Sequence, residues 1–254
     1  MRQFKKIIGA ALILALSLCS FASCDLIGGI VGGGKDPAEL TAAADAFLAS
    51  NPYNVEMKLK YDSDDADMLM AISTLSAEEM SLSVDGDSFV AKLALGESGA
   101  DYIIYTYVDG TLYTEWSENG TTVQDKTEIT DEKKAELLAS VGGSADLKYT
   151  DFSEVSVASQ KNVSVISCTN IKAEKISALT AALQAQLSEV FENVVVSVYN
   201  ASLDIEIDDG KYTVVVLTCE YFITVDENTS YSIEMKYAMQ YTYTKDREIM
   251  APSF

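Results

Sequence analysis

Residues 211–244 read KYTVVVLTCEYFITVDENTSYSIEMKYAMQYTYT. Two long runs rich in β-branched and aromatic side chains flank Glu227-Asn228, a pair typical of turns. In the second run one parity carries only large side chains: Tyr231, Ile233, Met235, Tyr237, Met239, Tyr241 and Tyr243. Such alternation is typical of antiparallel strands with one buried and one solvated face. With Asp209-Gly210 and Glu227-Asn228 as the turns between them, three terminal strands are predicted at about 195–208, 211–226 and 229–244.

A second set of short strands is predicted between Tyr53 and Val123. The run VEMKLKY at 55–61 alternates apolar and charged residues, which is the pattern of a half-buried strand. Asp85-Gly86, Asp109-Gly110 and Asn119-Gly120 supply the residues that tight hairpin turns need. We therefore predict a meander whose strands lie at about 55–61, 68–75, 79–84, 88–95, 102–108 and 111–116.

Three helices are predicted around these strands. Asp36-Pro37 provides an N-cap and a first-turn proline, and Asn51-Pro52 ends the apolar period that follows. A second short helix is expected at about 130–140, with strands at about 152–158 and 162–169 after it. The third helix, 171–193, carries the longest apolar stripe, formed by Ile176, Leu179, Leu183, Leu187, Val190 and Phe191.

These elements predict the α+β class, with a large curved antiparallel sheet of about 11–12 strands. A sheet this wide tends to curl, and its apolar face must be covered. Three helices are too few for a doubly wound fold, but they are enough to cover the concave side.

The N-terminal residues predict export and lipidation. Arg2, Lys5 and Lys6 precede an apolar run of about a dozen residues, which is shorter than the roughly 20 needed to span a bilayer. Small residues, Ala22 and Ser23, then precede Cys24. This order resembles the lipobox of bacterial lipoproteins, which implies cleavage after Ser23 and acylation of Cys24. An ordinary cleaved signal with an incidental cysteine is the alternative.

The predicted organisation is a signal peptide at 1–23, a glycine-rich tether at 24–35 and a single domain at 36–254. The resemblance to lipoproteins implies a bacterial protein held at the extracytoplasmic face of the cell membrane by its acylated cysteine. Without residues 1–23 the chain keeps 15 Lys and Arg against 39 Asp and Glu, a net charge of −24. That charge disfavours nucleic acid as a partner and opposes self-association, so a monomer is expected.

The composition also disfavours an enzyme. The chain has no histidine, so neither a Ser-His-Asp triad nor an imidazole zinc site can form. No catalytic residue, cofactor or metal is therefore predicted. Asp62, Asp64, Asp65 and Asp67 are close together, but Ala66 breaks the EF-hand spacing, so a solvated turn is favoured over a calcium loop.

Two further cysteines, Cys168 and Cys219, lie in apolar β-like runs. Outside the cytoplasm they could form one disulfide, and two buried free thiols would fit these runs equally well.

The element order over about 36–250 resembles the LolA/LolB-like lipoprotein-carrier superfamily: helix, meander, short helix, two strands, long helix and three terminal strands. The resemblance implies an unclosed half-barrel capped by helices, with a hydrophobic cavity for acyl chains. The soluble carriers of that family have no lipid anchor, and their mid-barrel arginine has no counterpart here, since the only arginine after residue 23 is Arg247. Generic binding of a lipid or other apolar ligand is the expectation that remains.

Nine residues are candidates for the cavity wall: Met57, Met68, Met70, Leu183, Leu187, Phe191, Tyr237, Met239 and Tyr241. Methionine adapts to irregular apolar ligands, yet the same side chains could simply fill the space between sheet and helix. The tyrosine ladder could line a ligand mouth, and cross-strand packing explains it as well. Two functions follow: a lipid or apolar-ligand binder, or a cell-envelope structural or protein-interaction module with a fully packed core.

Overall fold

The computed structural model of the protein describes residues 35–73, 79–95, 101–118, 120–141, 147–188, 191–226, 229–244 and 249–253. The predicted signal peptide, the lipidation at Cys24 and the tether as far as Gly34 lie outside these residues, as does the turn pair Glu227-Asn228. In the described part of the chain, no helix is both long and apolar enough to cross a membrane.

Four helices and eleven strands make up the described structure. The helices are α1 (Pro37–Ser50), α2 (Ala66–Ser73), α3 (Asp131–Val141) and α4 (Ala173–Leu187). The strands are β1 (Tyr53–Ser63), β2 (Glu79–Asp85), β3 (Ser88–Leu95), β4 (Asp101–Val108), β5 (Thr111–Glu118), β6 (Thr121–Glu128), β7 (Phe152–Gln160), β8 (Val163–Ile171), β9 (Val195–Asp208), β10 (Lys211–Asp226) and β11 (Thr229–Thr242). A single 3₁₀ turn, Tyr149–Asp151, precedes β7.

All eleven strands belong to one open antiparallel sheet, which confirms the α+β class with a large unclosed sheet. Their order is β6-β5-β4-β3-β2-β1-β11-β10-β9-β8-β7. The chain therefore starts in the middle, runs to one edge, passes through α3 to the opposite edge and returns. The last strand pairs with the first in the middle of the sheet, with Met57 opposite Met239 and Val55 opposite Tyr241.

Short turns allow this order because aspartate and glycine accept left-handed backbone. Asp109-Gly110 has φ values of 49° and 82°, and Asp209-Gly210 has 48° and 74°. Both pairs are the two-residue turns predicted from the sequence, and they join β4 to β5 and β9 to β10.

The core lies on one face of the sheet. Along β11 the residues Ile233, Met235, Tyr237, Met239 and Tyr241 are buried and their neighbours of the other parity are mostly exposed. Buried side chains of α1 and α4 belong to the same apolar cluster as the strands. At the edge, β6 is exposed along its whole length.

The predicted strand at 68–75 is wrong, because residues 66–73 form α2. Met68 donates its backbone N–H to Asp65 Oδ1 at 2.8 Å, so the acidic run supplies an N-cap rather than a hairpin turn. The helix predicted at 171–193 is shorter, and Ile171 belongs to β8. Strand β6 was not among the predicted strands.

Candidate functional site

A cavity of about 700 Å³ opens to solvent between α1, α3 and the middle of the sheet. Its floor is formed by three adjacent strands. Leu82 of β2 pairs with Val55 of β1, which pairs with Tyr241 of β11, and Met57 pairs with Met239 in the next row. Because side chains alternate along a strand, this register places all five on one face. The floor is therefore a continuous apolar surface.

The walls of the cavity come from the two helices. Leu48 and Ala49 belong to the last turn of α1, whereas Ala135 and Leu138 belong to α3 on the opposite side. Helix α1 ends here because Asn51 takes extended backbone before Pro52, and its side-chain amide donates to the Phe47 carbonyl oxygen at 2.8 Å. The mouth thus lies where the chain passes from α1 into β1.

Asp45 is the carboxylate that α1 contributes to this wall. Tyr212, which is fully buried, donates its hydroxyl to Asp45 Oδ1 at 2.7 Å. Burial raises the pKa of Asp45, whereas the Tyr212 hydrogen bond and the charge of Lys148 lower it; burial is the larger effect. The protein surroundings therefore stabilise the ionised carboxylate less than water does.

Aromatic contacts hold α1 against the sheet beside this pair. Phe47 meets Tyr243 edge-to-face, with ring centroids 5.1 Å apart, and Lys211 Nζ lies 4.8 Å from the Phe47 ring centroid. Tyr243 donates its hydroxyl to the Tyr212 carbonyl oxygen at 2.8 Å. These contacts fix the helix that carries Asp45, so the carboxylate has a defined position at the cavity wall.

A second hollow, of about 510 Å³, lies on the other side of Ala135 and Leu138. Its charged residues are Asp87, Asp109, Asp131 and Lys134. Lys134 Nζ lies 3.3 Å from Asp87 Oδ1 and 4.8 Å from the centroid of the Tyr107 ring. Three carboxylates and one lysine thus leave this hollow acidic.

The structure brings three of the nine candidate residues to the cavity: Met57, Met239 and Tyr241. Met68, Leu183, Leu187 and Tyr237 are instead buried in the packed core. Met70 is 61% exposed on α2, and Phe191 is half-buried beyond the end of α4.

The described leucine side chains of the long helix, Leu179, Leu183 and Leu187, are buried in the core. Gln184 of the same helix accepts the backbone N–H of Val196 at 2.7 Å and donates to the Val194 carbonyl oxygen. Helix α4 is thereby bonded to the start of β9, whereas the 700 Å³ cavity lies at α1 and α3.

Cys168 and Cys219 are free and buried, so the disulfide considered from the sequence is not formed. Strand β9 separates them: Cys168 pairs with Leu203 on one side, and Cys219 pairs with Ala201 on the other. Two strand spacings are about 9.5 Å, beyond the roughly 7 Å that a disulfide can span between Cα atoms. Burial raises the pKa of each thiol to about 12, so both are poor nucleophiles.

Within the described ranges, no group of three or more His, Cys, Asp or Glu side chains is placed to hold a metal ion.

Several cavity residues were missed by the sequence analysis. Val55 and Leu82 were assigned to strands, but their part in a cavity depends on pairing between distant strands. Asp45 had a usable signal, because it follows Thr41 by one turn and precedes Leu48 on a helix whose apolar stripe was recognised. A carboxylate next to the apolar stripe of a helix is expected at the edge of the contact between helix and sheet, and Asp45 could have been chosen on that ground.

No protein-family model matches the chain, and a search of curated proteins finds no match either. The geometry of the cavity therefore carries the functional argument.

Proposed function

We propose that this chain is a bacterial lipoprotein, anchored at the extracytoplasmic face of the cell membrane by acylated Cys24, and that it binds a lipid or other apolar ligand without catalysing a reaction. The proposed fold is a LolA/LolB-like half-barrel whose helices lie on the concave side of the sheet. The observation that carries the proposal is the apolar, solvent-open cavity between α1, α3 and the sheet.

The size and lining of the cavity support ligand binding. Its volume of about 700 Å³ falls within the 300–1,000 Å³ typical of small-molecule sites. Met57 and Met239 lie side by side in the floor, and methionine side chains adapt to flexible chains. Polar groups are few and lie at the wall, as expected where a ligand's apolar part is buried and its head group stays near water.

A chain-length series tests this function. The protein is the mature chain, residues 24–254, carrying Cys24→Ser so that its own acyl groups cannot occupy the cavity. Neutral monoacylglycerols of 8 to 16 carbons are titrated calorimetrically below their critical micelle concentrations. Each buried methylene contributes about 0.8 kcal/mol, so affinity should rise about fourfold per carbon until the cavity is full.

A matched pair of substitutions locates the binding. Ala49→Phe places a ring in the cavity from α1, whereas Ala43→Phe adds the same ring to an exposed position of the same helix away from it. We expect Ala49→Phe to abolish most of the affinity and Ala43→Phe to leave it unchanged. Absence of binding by every chain length, or equal effects of the two variants, would contradict the proposed function.

The anchor is tested separately. Cells producing the full chain are labelled with an alkyne analogue of palmitate, and the protein is recovered and weighed by mass spectrometry. The wild-type protein should carry the label and begin at Cys24, whereas Cys24→Ser should carry none and be released from membranes. Label and membrane retention that survive this substitution would refute the lipobox assignment.

The second candidate function is a protein-interaction module at the cell envelope. The observation favouring it is an exposed apolar group on the opposite face of the sheet: Val195, Tyr199 and Phe222. Tyr199 is 83% exposed and lies where the β9–β10 register shifts, between Val198 and Asn200. Large exposed aromatics of this kind are enriched at protein interfaces. A mature chain that takes up no acyl ligand would leave this as the function to pursue.

A further inference from the structure

We propose that the cavity prefers amphiphiles with a positively charged head group, and that Asp45 is the counter-ion of that group. The inference rests on the proposed function, because it names the class of ligand that the same cavity takes. It follows from the charges around the cavity, from the position of Asp45 and from the environment of the neighbouring hollow.

The charged side chains that line the cavity are all acidic. Asp45 stands in the α1 wall and Asp85 at the end of β2, and the described lining contains no lysine or arginine. A fatty-acid carboxylate or a phosphate at the mouth would face two like charges and no lysine or arginine in the described lining, which is costly in a partly desolvated site. An ammonium group would face two opposite charges.

Asp45 is held in place for such a contact. Its Oδ1 atom accepts the Tyr212 hydroxyl at 2.7 Å, and the same hydroxyl lies 3.5 Å from the Thr41 carbonyl oxygen in the preceding turn of α1. The tyrosine is fully buried and packs beside Tyr241 of the cavity floor, with ring centroids 5.7 Å apart. The carboxylate therefore sits beside an aromatic, apolar floor, an arrangement that suits an alkylammonium ion.

The protein supplies little positive charge to Asp45. The groups that face it are the Tyr212 hydroxyl from β10 and the charge of Lys148 from the segment before β7. Both favour ionisation, yet burial outweighs them and the pKa of Asp45 is raised. A ligand cation would supply the compensation that is lacking.

The hollow beyond α3 extends this acidic environment. Asp87, Asp109 and Asp131 face one lysine, Lys134, which is already within 3.3 Å of Asp87 Oδ1. With a net charge of −24 on residues 24–254, the mouth attracts cations and repels anions before contact.

Three ligands with the same twelve-carbon chain test the preference: dodecyltrimethylammonium, monododecanoylglycerol and dodecanoate. Each is titrated at pH 7 and low ionic strength into the mature chain carrying Cys24→Ser. We expect the trimethylammonium compound to bind at least tenfold more tightly than dodecanoate, with the neutral ligand between them. Asp45→Asn should weaken only the cationic ligand, by roughly tenfold, the size of a lost charge-assisted contact.

Asp204→Asn is the matched control, because it removes the same charge from an exposed position on β9. Equal or tighter binding of dodecanoate, or equal effects of Asp45→Asn and Asp204→Asn, overturns the head-group inference. In that case the proposed function still stands if the neutral ligand binds and Ala49→Phe abolishes that binding. Failure of all three ligands to bind overturns both.

Discussion

Replacing Tyr212 with phenylalanine tests how the cavity carboxylate is held. The ring stays buried against Tyr241, and only the hydroxyl that donates to Asp45 Oδ1 at 2.7 Å is removed. A hydrogen bond to a charged group contributes about 1.5–3 kcal/mol, and water can replace part of it because Asp45 is only half-buried. We therefore expect the free energy of unfolding to fall by about 1 kcal/mol at pH 7.

The loss of stability caused by Tyr212→Phe should depend on pH, because it involves the ionisation of Asp45. The pKa of Asp45 is raised in the folded protein, so ionisation of this group destabilises the fold, and its contribution to stability falls as pH rises from the ordinary carboxyl pKa through the raised one. Without the Tyr212 hydroxyl the pKa rises further, which deepens that fall. The difference between the variant and the wild type should therefore be larger at pH 7 than below about pH 3.8, where Asp45 is protonated in both states and the hydroxyl donates to a neutral carboxyl.

Urea denaturation of a double-mutant cycle measures this directly. The cycle combines Tyr212→Phe with Asp45→Ala, since asparagine would still accept the hydroxyl. A coupling free energy of about 1 kcal/mol at pH 7 is expected. Tyr243→Phe is the control, because it removes a hydrogen bond to the Tyr212 carbonyl oxygen and not to Asp45. If Tyr212→Phe has the same effect with and without Asp45→Ala, the Tyr212–Asp45 hydrogen bond does not contribute to stability and the expectation is wrong.

Three further predictions concern other parts of the fold. Cys168 and Cys219 should not react with a thiol reagent at pH 8 until the protein unfolds, since both are buried with a pKa of about 12; rapid labelling of the folded protein would contradict this. Gln184→Ala should lower the free energy of unfolding by about 1–2 kcal/mol in urea, because two backbone groups lose their partner, and an unchanged midpoint would show that the bridge to β9 is unimportant. Burial raises the pKa of Tyr243 to about 12, so between pH 10 and 12 the folded state keeps a proton that the unfolded state loses, and stability falls as pH rises. Tyr243→Phe should make that fall less steep. An equally steep fall in the variant would contradict the prediction.

Most of the sheet could be predicted because its strands carry a local signal. The alternation in β1 and β11 and the Asp-Gly pairs are visible within a few residues, and they need no tertiary information. The segment 68–75 failed for a physical reason. Its run MLMAIS is apolar on both parities, so the pattern does not separate a buried strand from a helix, and Asp65 as N-cap decided the outcome.

The cavity was harder to predict than the sheet. Met57, Met239 and Tyr241 were chosen as large apolar residues on a buried face, but so was Tyr237, which is packed in the core. What separates them is which helix covers which part of the sheet. The position of α1 depends on its contacts with Tyr212 and Tyr243. These contacts join residues about 170–200 positions apart in the sequence, so no local pattern can predict them.

The most direct test of the account is to locate a bound amphiphile. Crystals of residues 24–254 carrying Cys24→Ser, grown with a dodecyltrimethylammonium that has bromine on its terminal carbon, would reveal the end of the alkyl chain by anomalous scattering. We predict a bromine peak over the floor formed by Val55, Met57, Leu82, Met239 and Tyr241, with the head group beside Asp45. A peak outside the cavity, or an unoccupied cavity in crystals that hold the ligand elsewhere, would contradict the assignment of this cavity as the ligand site.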